Sequence, residues 1–226
     1  MRGLAGAAML MVLAASAPAG AQEASNRYPA CRTAEPNGRI ADVCGVVDEI
    51  YERLGGRDSS RHPRRYGELQ NALAMALLVI GDTGDEAALR DCIAAGRAAA
   101  EYYSRARTPT RWAAIQIHIA GAMIGLAEAG DEGALQESVP TLLAAIEAIE
   151  RAVQPALWAG AHSTLASAYI VQSRNGEDRE ALQAAIGALQ SALEIYHRPV
   201  FAEERARTEA RLTELLRALS EEHNES

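Results

Sequence analysis

Five histidines, three cysteines and a recurring set of turn aspartates are the side chains of this 226-residue chain whose types could do chemistry. His118 and His162 stand nine and seven residues after prolines, Pro109 and Pro155, that open helical patterns. Those offsets place them about 160° apart around a helix of 3.6 residues per turn, so they do not converge on one metal ion. His62, His197 and His223 have no such setting. The turns holding Asp82, Asp85, Asp131 and Asp178 could suggest a hard cation. Asp85 and Asp131, however, directly precede helical patterns, where a carboxylate caps free N–H groups and favours the positive helix end. Cys92 shares a repeat position with Ser138 and Ala185, all small, which predicts close helix contact. A cysteine nucleophile would need a base, and none stands at a helical offset beside it.

No H-E-x-x-H, G-x-S-x-G, Walker loop or C-x-x-C occurs. All 22 basic residues are arginine, and the absence of lysine removes Schiff-base chemistry and lysine-dependent phosphate loops. No catalytic residue, no metal ligand and no cofactor is therefore expected, and the chain is not read as an enzyme. An all-α cell-envelope enzyme is the weaker alternative. It would need two carboxylates facing one cleft, whereas the repeated Glu101, Glu147 and Glu194 each have an arginine four residues on, Arg105, Arg151 and Arg198. That order is the favourable i,i+4 orientation, worth about 0.3–0.5 kcal/mol a pair, and predicts three intrahelical ion pairs.

Composition narrows the remaining classes. The chain is 49% hydrophobic but only 4% aromatic, with formal net charge −8. Enough apolar mass exists for a sizeable core, and its weight in Ala and Leu suits closely packed helices. No basic excess is present to neutralise phosphates, so nucleic acid is not an expected partner.

The first residues read as an export signal. Arg2 precedes an uncharged apolar run from Leu4 to Ala17, and Ala19-Gly20-Ala21 gives the small-x-small pattern of a cleavage site after Ala21. Residues 1–21 are thus expected to be removed, leaving a periplasmic or secreted protein. The run is too short to span a bilayer and no later stretch is long enough, so the processed chain is not expected to be membrane-spanning. In an oxidising compartment Cys31 and Cys44 could close a short loop, worth about 3 kcal/mol on chain-entropy grounds, or stay as two thiols.

The elements that must position these residues are set by a repeat. Pro63, Pro109 and Pro155 follow one another at intervals of 46, and Pro199 comes 44 later. Three residues after each of the first three sits a ring: Tyr66, Trp112, Trp158. These rings could stack a ligand, but their repetition predicts matching packing anchors. The apolar sets Leu69/Ile115/Ala161, Leu73/Ile119/Leu165, Ala74/Ala120/Ala166 and Leu77/Met123/Tyr169 follow at spacings that fall on one helix face. Each helix ends in a polar turn, and a second pattern begins at Leu89, Leu135 and Leu182. Three helical hairpins follow, and no strand-like alternation appears. Before them, residues 22–62 form an N-terminal segment in which Asn37 can cap an amphipathic helix ending at Leu54 before Gly55-Gly56. After Pro199, Leu212, Leu215, Leu216 and Leu219 predict the inner face of a capping helix, with residues 220–226 as a tail.

The stretch from Trp112 to Met123, Trp-Ala-Ala-Ile-Gln-Ile-His-Ile-Ala-Gly-Ala-Met, resembles the first helix of a tetratricopeptide-type (TPR-like) repeat, with Ile119-Ala120 as its bulky–small pair. The second helix is clearest at Leu182, Ala185, Ala188, Leu189, Ala192, Leu193, Glu194 and Tyr196. The resemblance covers residues 63–219. The period is longer than the usual ~34 residues, and alanine stands where the family's small residue is usually glycine; HEAT-like helical repeats share this general plan. The resemblance implies a right-handed α-solenoid of three hairpins whose first helices line a concave groove. The lining positions it assigns are Asn71, Met75 and Leu78; Ile117, Gly121 and Ile124; Ser163, Ser167 and Ile170. This set is apolar with a few neutral hydrogen-bonding groups. It implies a protein or peptide partner and a role as an interaction module or adaptor. The alternatives are a self-associating structural protein, either a homodimer pairing through the groove or a chain whose own N-terminal helix fills it.

Overall fold

The computed structural model describes residues 27–55, 61–176 and 178–225, with the side chains of residues 175, 176 and 221–225 set aside. The export signal, residues 1–21, lies outside the described residues. Among those described, all regular secondary structure is helical. The helices are α1 (Pro29–Thr33), α2 (Arg39–Gly55), α3 (Pro63–Gly81), α4 (Glu86–Tyr102), α5 (Pro109–Glu128), α6 (Glu132–Ala148), α7 (Pro155–Gly176), α8 (Arg179–Tyr196) and, after a 3-10 turn at Pro199–Phe201, α9 (Ala202–Glu225). Two compact units divide between Tyr103 and Ser104.

Local chemistry explains where the hairpin helices begin. Pro63, Pro109 and Pro155 open α3, α5 and α7, positions where a missing N–H costs nothing and the fixed φ is already helical. The carbonyls of His62, Thr108 and Gln154 then accept from the amides of Tyr66, Trp112 and Trp158, the same first turn three times. The second helices begin on aspartate caps. Asp85 accepts from the Ala88 amide, Asp131 from Ala134, and Asp178 from Glu180 and Ala181. Gly84 and Gly130, just before the first two caps, hold φ of +89° and +102°, a left-handed backbone that a side chain would strain. Pro140 sits inside α6 without ending it.

In the first unit α3 and α4 form the hairpin, α2 packs against α3, and α1 lies on α2. α2 starts at Arg39, and Gly38 rather than Asn37 supplies the first helical carbonyl, to Asp42. Asn37 instead turns the chain with φ +65°, a conformation its short polar side chain tolerates. In the second unit α5 pairs with α6 and α7 with α8, while α7 also packs against α5 and α6. α9 closes the unit against α8. Ala74, Ala120 and Ala166, at matching repeat positions, are completely buried.

One face departs from the periodic reading. Leu212 and Leu215 of α9 pack on the core around Leu142, Leu165 and Leu189. Leu216 is about half exposed, at 47%. The buried side is turned instead toward Thr208, at 5% exposure.

Candidate functional site

The lining positions fall into two groups with different surroundings. In the first unit Asn71, Met75 and Leu78 lie along α3; Met75 is 49% exposed and Asn71 reaches its sulfur at 3.9 Å. In the second unit Ile117 and Gly121 of α5 are half-buried, as are Ser163 and Ser167 of α7. Ile124 and Ile170 are buried, at 6% and 8%, and Ile124 belongs to the apolar cluster with Leu142 and Leu165. The partly exposed members of the set in this unit are therefore Ile117 and Gly121 on α5 and Ser163 and Ser167 on α7.

A charged group reaches Ser167 from α9. Nη2 of Arg211 donates to Ser167 Oγ at 3.0 Å, and the Ser167 hydroxyl donates to the Ser163 carbonyl at 3.3 Å. Burial, then Arg174, holds the Arg211 guanidinium below its ordinary pKa, outweighing the opposite pull of Glu128 and Glu214. Sequence reasoning passed over Arg211, although a signal was present. With Thr208, Leu212 and Leu215 it makes the i, i+3, i+4, i+7 stripe of an inward face.

The glutamate–arginine register forms, but not within helices. Within the second unit Arg105 pairs with Glu147 of α6 at 2.9 Å, and Arg151 with Glu194 of α8 at 2.5 Å. Among the described residues the expected pairs Glu101–Arg105, Glu147–Arg151 and Glu194–Arg198 do not form, because α4, α6 and α8 end at Tyr102, Ala148 and Tyr196, and only Arg105 and Arg151 find other glutamates. Past those ends an offset of four no longer means the same face. The freed guanidiniums lie over indoles: Arg105 stands 5.6 Å from the Trp112 ring and Arg151 4.4 Å from Trp158. Such contacts add about 0.5–1 kcal/mol at exposed sites. Both tryptophans are half-buried, packed on the cluster around Ala113, Ala145 and Ile149.

His162 lies against Trp158, ring centroids 4.1 Å apart, with both ring nitrogens buried and without a hydrogen-bond partner. The Ser163 hydroxyl is likewise buried without a partner. Burial pushes the His162 imidazole below its ordinary pKa, helped by Arg151 and opposed by Glu194; burial does the same to His118. Among the described residues no cluster of three metal-ligating side chains occurs. Cys92 is fully buried, and burial, with Asp82 adding, pushes its thiol up to about 12, far from the thiolate a nucleophile needs. Ser138 and Ala185, its repeat partners, are also fully buried.

The N-terminal segment carries a second polar constellation. Tyr28 is completely buried, its hydroxyl 2.7 Å from that of Tyr51 and donating to Asp91 at 2.8 Å. Arg27 pairs with Asp91 at 2.6 Å and lies over the Tyr51 ring. The Ala30 amide donates to the second oxygen of Asp85, so one carboxylate caps α4 and fastens α1. Cys31 and Cys44 are joined in a disulfide, tying α1 to α2. Burial first, then the bonds to Tyr51 and Asp91, raises the Tyr28 phenol well above its usual range, so it remains a donor. No family model, no curated protein and no solved structure matches this chain. No described helix is long and apolar enough to cross a membrane.

Proposed function

We propose that this chain is an exported, periplasmic or secreted, helical-repeat module that binds a protein or peptide segment. In this reading the three hairpins are TPR-like repeats of a right-handed α-solenoid, and the first helices present the binding face. Support for the repeat comes from the thrice-used first turn, the aspartate caps and the linking arginine–glutamate pairs at matching positions. The observation that carries the binding role is the set of half-buried positions on α5 and α7. Ile117 and Gly121 on α5 and Ser163 and Ser167 on α7 are half-buried, and Arg211 is brought to Ser167 from α9. Apolar contacts with a few directed hydrogen-bonding groups are what an extended or helical peptide needs from a surface.

Pull-down with in-cell crosslinking tests this, comparing the wild type with Met75→Glu and Ile117→Ser. Met75 is half exposed, so its substitution should leave the fold intact. Both variants are expected to lose a partner that the wild type retains, with helical content unchanged by circular dichroism. Identical capture by all three proteins would count against the face, and a species consisting only of this chain would favour self-association.

A further inference from the structure

The second unit holds two copies of one four-residue arrangement, and the copies differ at one member. In the first, Arg105 pairs with Glu147 and lies over Trp112; in the second, Arg151 pairs with Glu194 and lies over Trp158. One turn after each indole the copies part. Gln116 stands four residues after Trp112, and His162 stands four after Trp158, both half-buried. Gln70 holds the same place after Tyr66 in the first unit. An amide takes up no proton near neutrality, whereas an imidazole ordinarily does so close to pH 6.5. Only the copy at Trp158 therefore carries a group that can titrate at this position.

The setting of His162 leaves a proton no place without a rearrangement. Its ring centroid is 4.1 Å from that of Trp158, and both nitrogens are buried without a hydrogen-bond partner. An imidazolium has two N–H donors, and a buried cation without bond or counter-ion is costly. Two charged groups act on the ring. Arg151, from the loop between α6 and α7, disfavours the imidazolium, and Glu194, from α8, favours it. Those two are at present paired with each other. The clusters on which Trp158 packs present Ala113 from α5, Ala145 from α6, and Ala192, Ile195 and Tyr196 from α8. His197, just past α8, has its Nδ1 2.6 Å from the Glu194 carbonyl.

We propose that Arg151, Trp158, His162 and Glu194 form a pH-sensitive latch: a proton taken up by His162 draws Glu194 from Arg151 to the imidazolium and releases the loop between α6 and α7 from the end of α8. The proton comes from solvent and returns to it, and no covalent bond changes. Arg105, Trp112 and Glu147, with Gln116 at the matching place, stay closed over the same range. Burial, reinforced by Arg151, keeps the His162 imidazole below its ordinary pKa, so the latch is shut at neutrality and opens on the acid side. The Arg151 and Glu194 side chains are about half exposed, at 47% and 56%. Ion pairs so exposed are weak, and a new full charge beside them is enough to redistribute the partners. Trp158 packs on two apolar clusters, one shared with α5 and α6 and one with α8, so a change at its ring reaches all of them.

The test is a proton titration of the isotope-labelled protein by NMR, from about pH 7.5 to about pH 5, with circular dichroism at each step. Four resonances are followed: the indole N–H of Trp158 and of Trp112, and the Nε–H of Arg151 and of Arg105. Those of Trp158 and Arg151 are expected to move together with one midpoint below about 6.5, the ordinary imidazole value. Those of Trp112 and Arg105 should not follow, and the helical content should stay level. His162→Gln copies the arrangement at Gln116, so it should fold as the wild type does and lose the response. Glu194→Gln should lower the midpoint and Arg151→Gln should raise it, each by about 0.5 pH. His197→Gln should leave the response in place. No movement at Trp158 down to about pH 5, or movement of both indoles together with loss of helix, would overturn the latch. So would a response that survives His162→Gln or vanishes in His197→Gln. A midpoint unmoved in Glu194→Gln would show that the carboxylate does not pass to the imidazolium, and would overturn the exchange. The wild-type titration alone can refute the proposal, with Trp112 and Arg105 as controls inside the same molecule.

Discussion

The two units use their polar groups in opposite ways at the elements that flank the hairpins. In the first, the segment at Arg27–Cys31 is fastened by groups that satisfy one another: Tyr28 with Tyr51 and Asp91, Arg27 with Asp91, the Ala30 amide with Asp85, and a covalent bond from Cys31 to Cys44. In the second, α9 docks through leucines and brings Arg211 to the Ser167 hydroxyl, while in the same unit the His162 ring nitrogens and the Ser163 hydroxyl are buried without a hydrogen-bond partner. A completed network resists change, whereas a buried polar group without a hydrogen-bond partner costs stability. The contrast teaches where stability and where responsiveness should be sought in this chain.

The strongest way to break the contrast is at Tyr28. Tyr28→Ala empties a fully buried aromatic site and should cost about 3–5 kcal/mol. Tyr28→Phe keeps the ring, loses the bond to Asp91 and should cost about 1 kcal/mol. Urea titration monitored in the first unit measures both, and equal losses would show that the hydroxyl network rather than ring packing fastens the segment. Removing the disulfide by Cys31→Ser comes next. With a sequence separation of 13 between the cysteines, chain entropy predicts a loss of about 3 kcal/mol. Comparing wild type with and without reductant checks it, and an unchanged melting temperature would mean that the Tyr28 network alone suffices.

The smallest expected effect sharpens the comparison from the other side. Burial holds His118 and His162 below the ordinary imidazole pKa of about 6.5. As pH falls through that value the unfolded chain takes up protons that the folded chain refuses, so stability decreases toward the lower folded pKa. The loss should appear in the second unit by hydrogen exchange between pH 7 and pH 5. The first unit has only the exposed His62 among its described histidines and should change less. His162→Gln should flatten the dependence; a profile identical to wild type would place the titration elsewhere.

Much of the fold was legible because it is local. Proline at the first helical position, aspartate before the second helix and apolar residues at offsets of three and four need only the chain's own geometry, and they mark α3 to α8 in the sequence. The cores they predicted, such as Leu73, Ile119 and Leu165, are buried. The site was legible only in part. The repeat offsets pick out Ile117, Gly121, Ser163 and Ser167, which are half-buried, but the same offsets include Ile124 and Ile170, which lie in the interior.

What the sequence by itself determined is thus the all-helical class of the described chain, the starts of the hairpin helices and the caps at Asp85 and Asp131, since each depends on neighbours within a turn or two. Tertiary structure alone decided the rest. Arg105 turned to Glu147 and Arg151 to Glu194 because their own helices stop short of them, and the helix brought alongside supplies the charge. Tyr28 met Asp91 across 63 residues, and Arg211 met Ser167 across 44. Such meetings follow from how helices stack, and the stacking is governed by non-directional burial of alanine and leucine that no single spacing encodes.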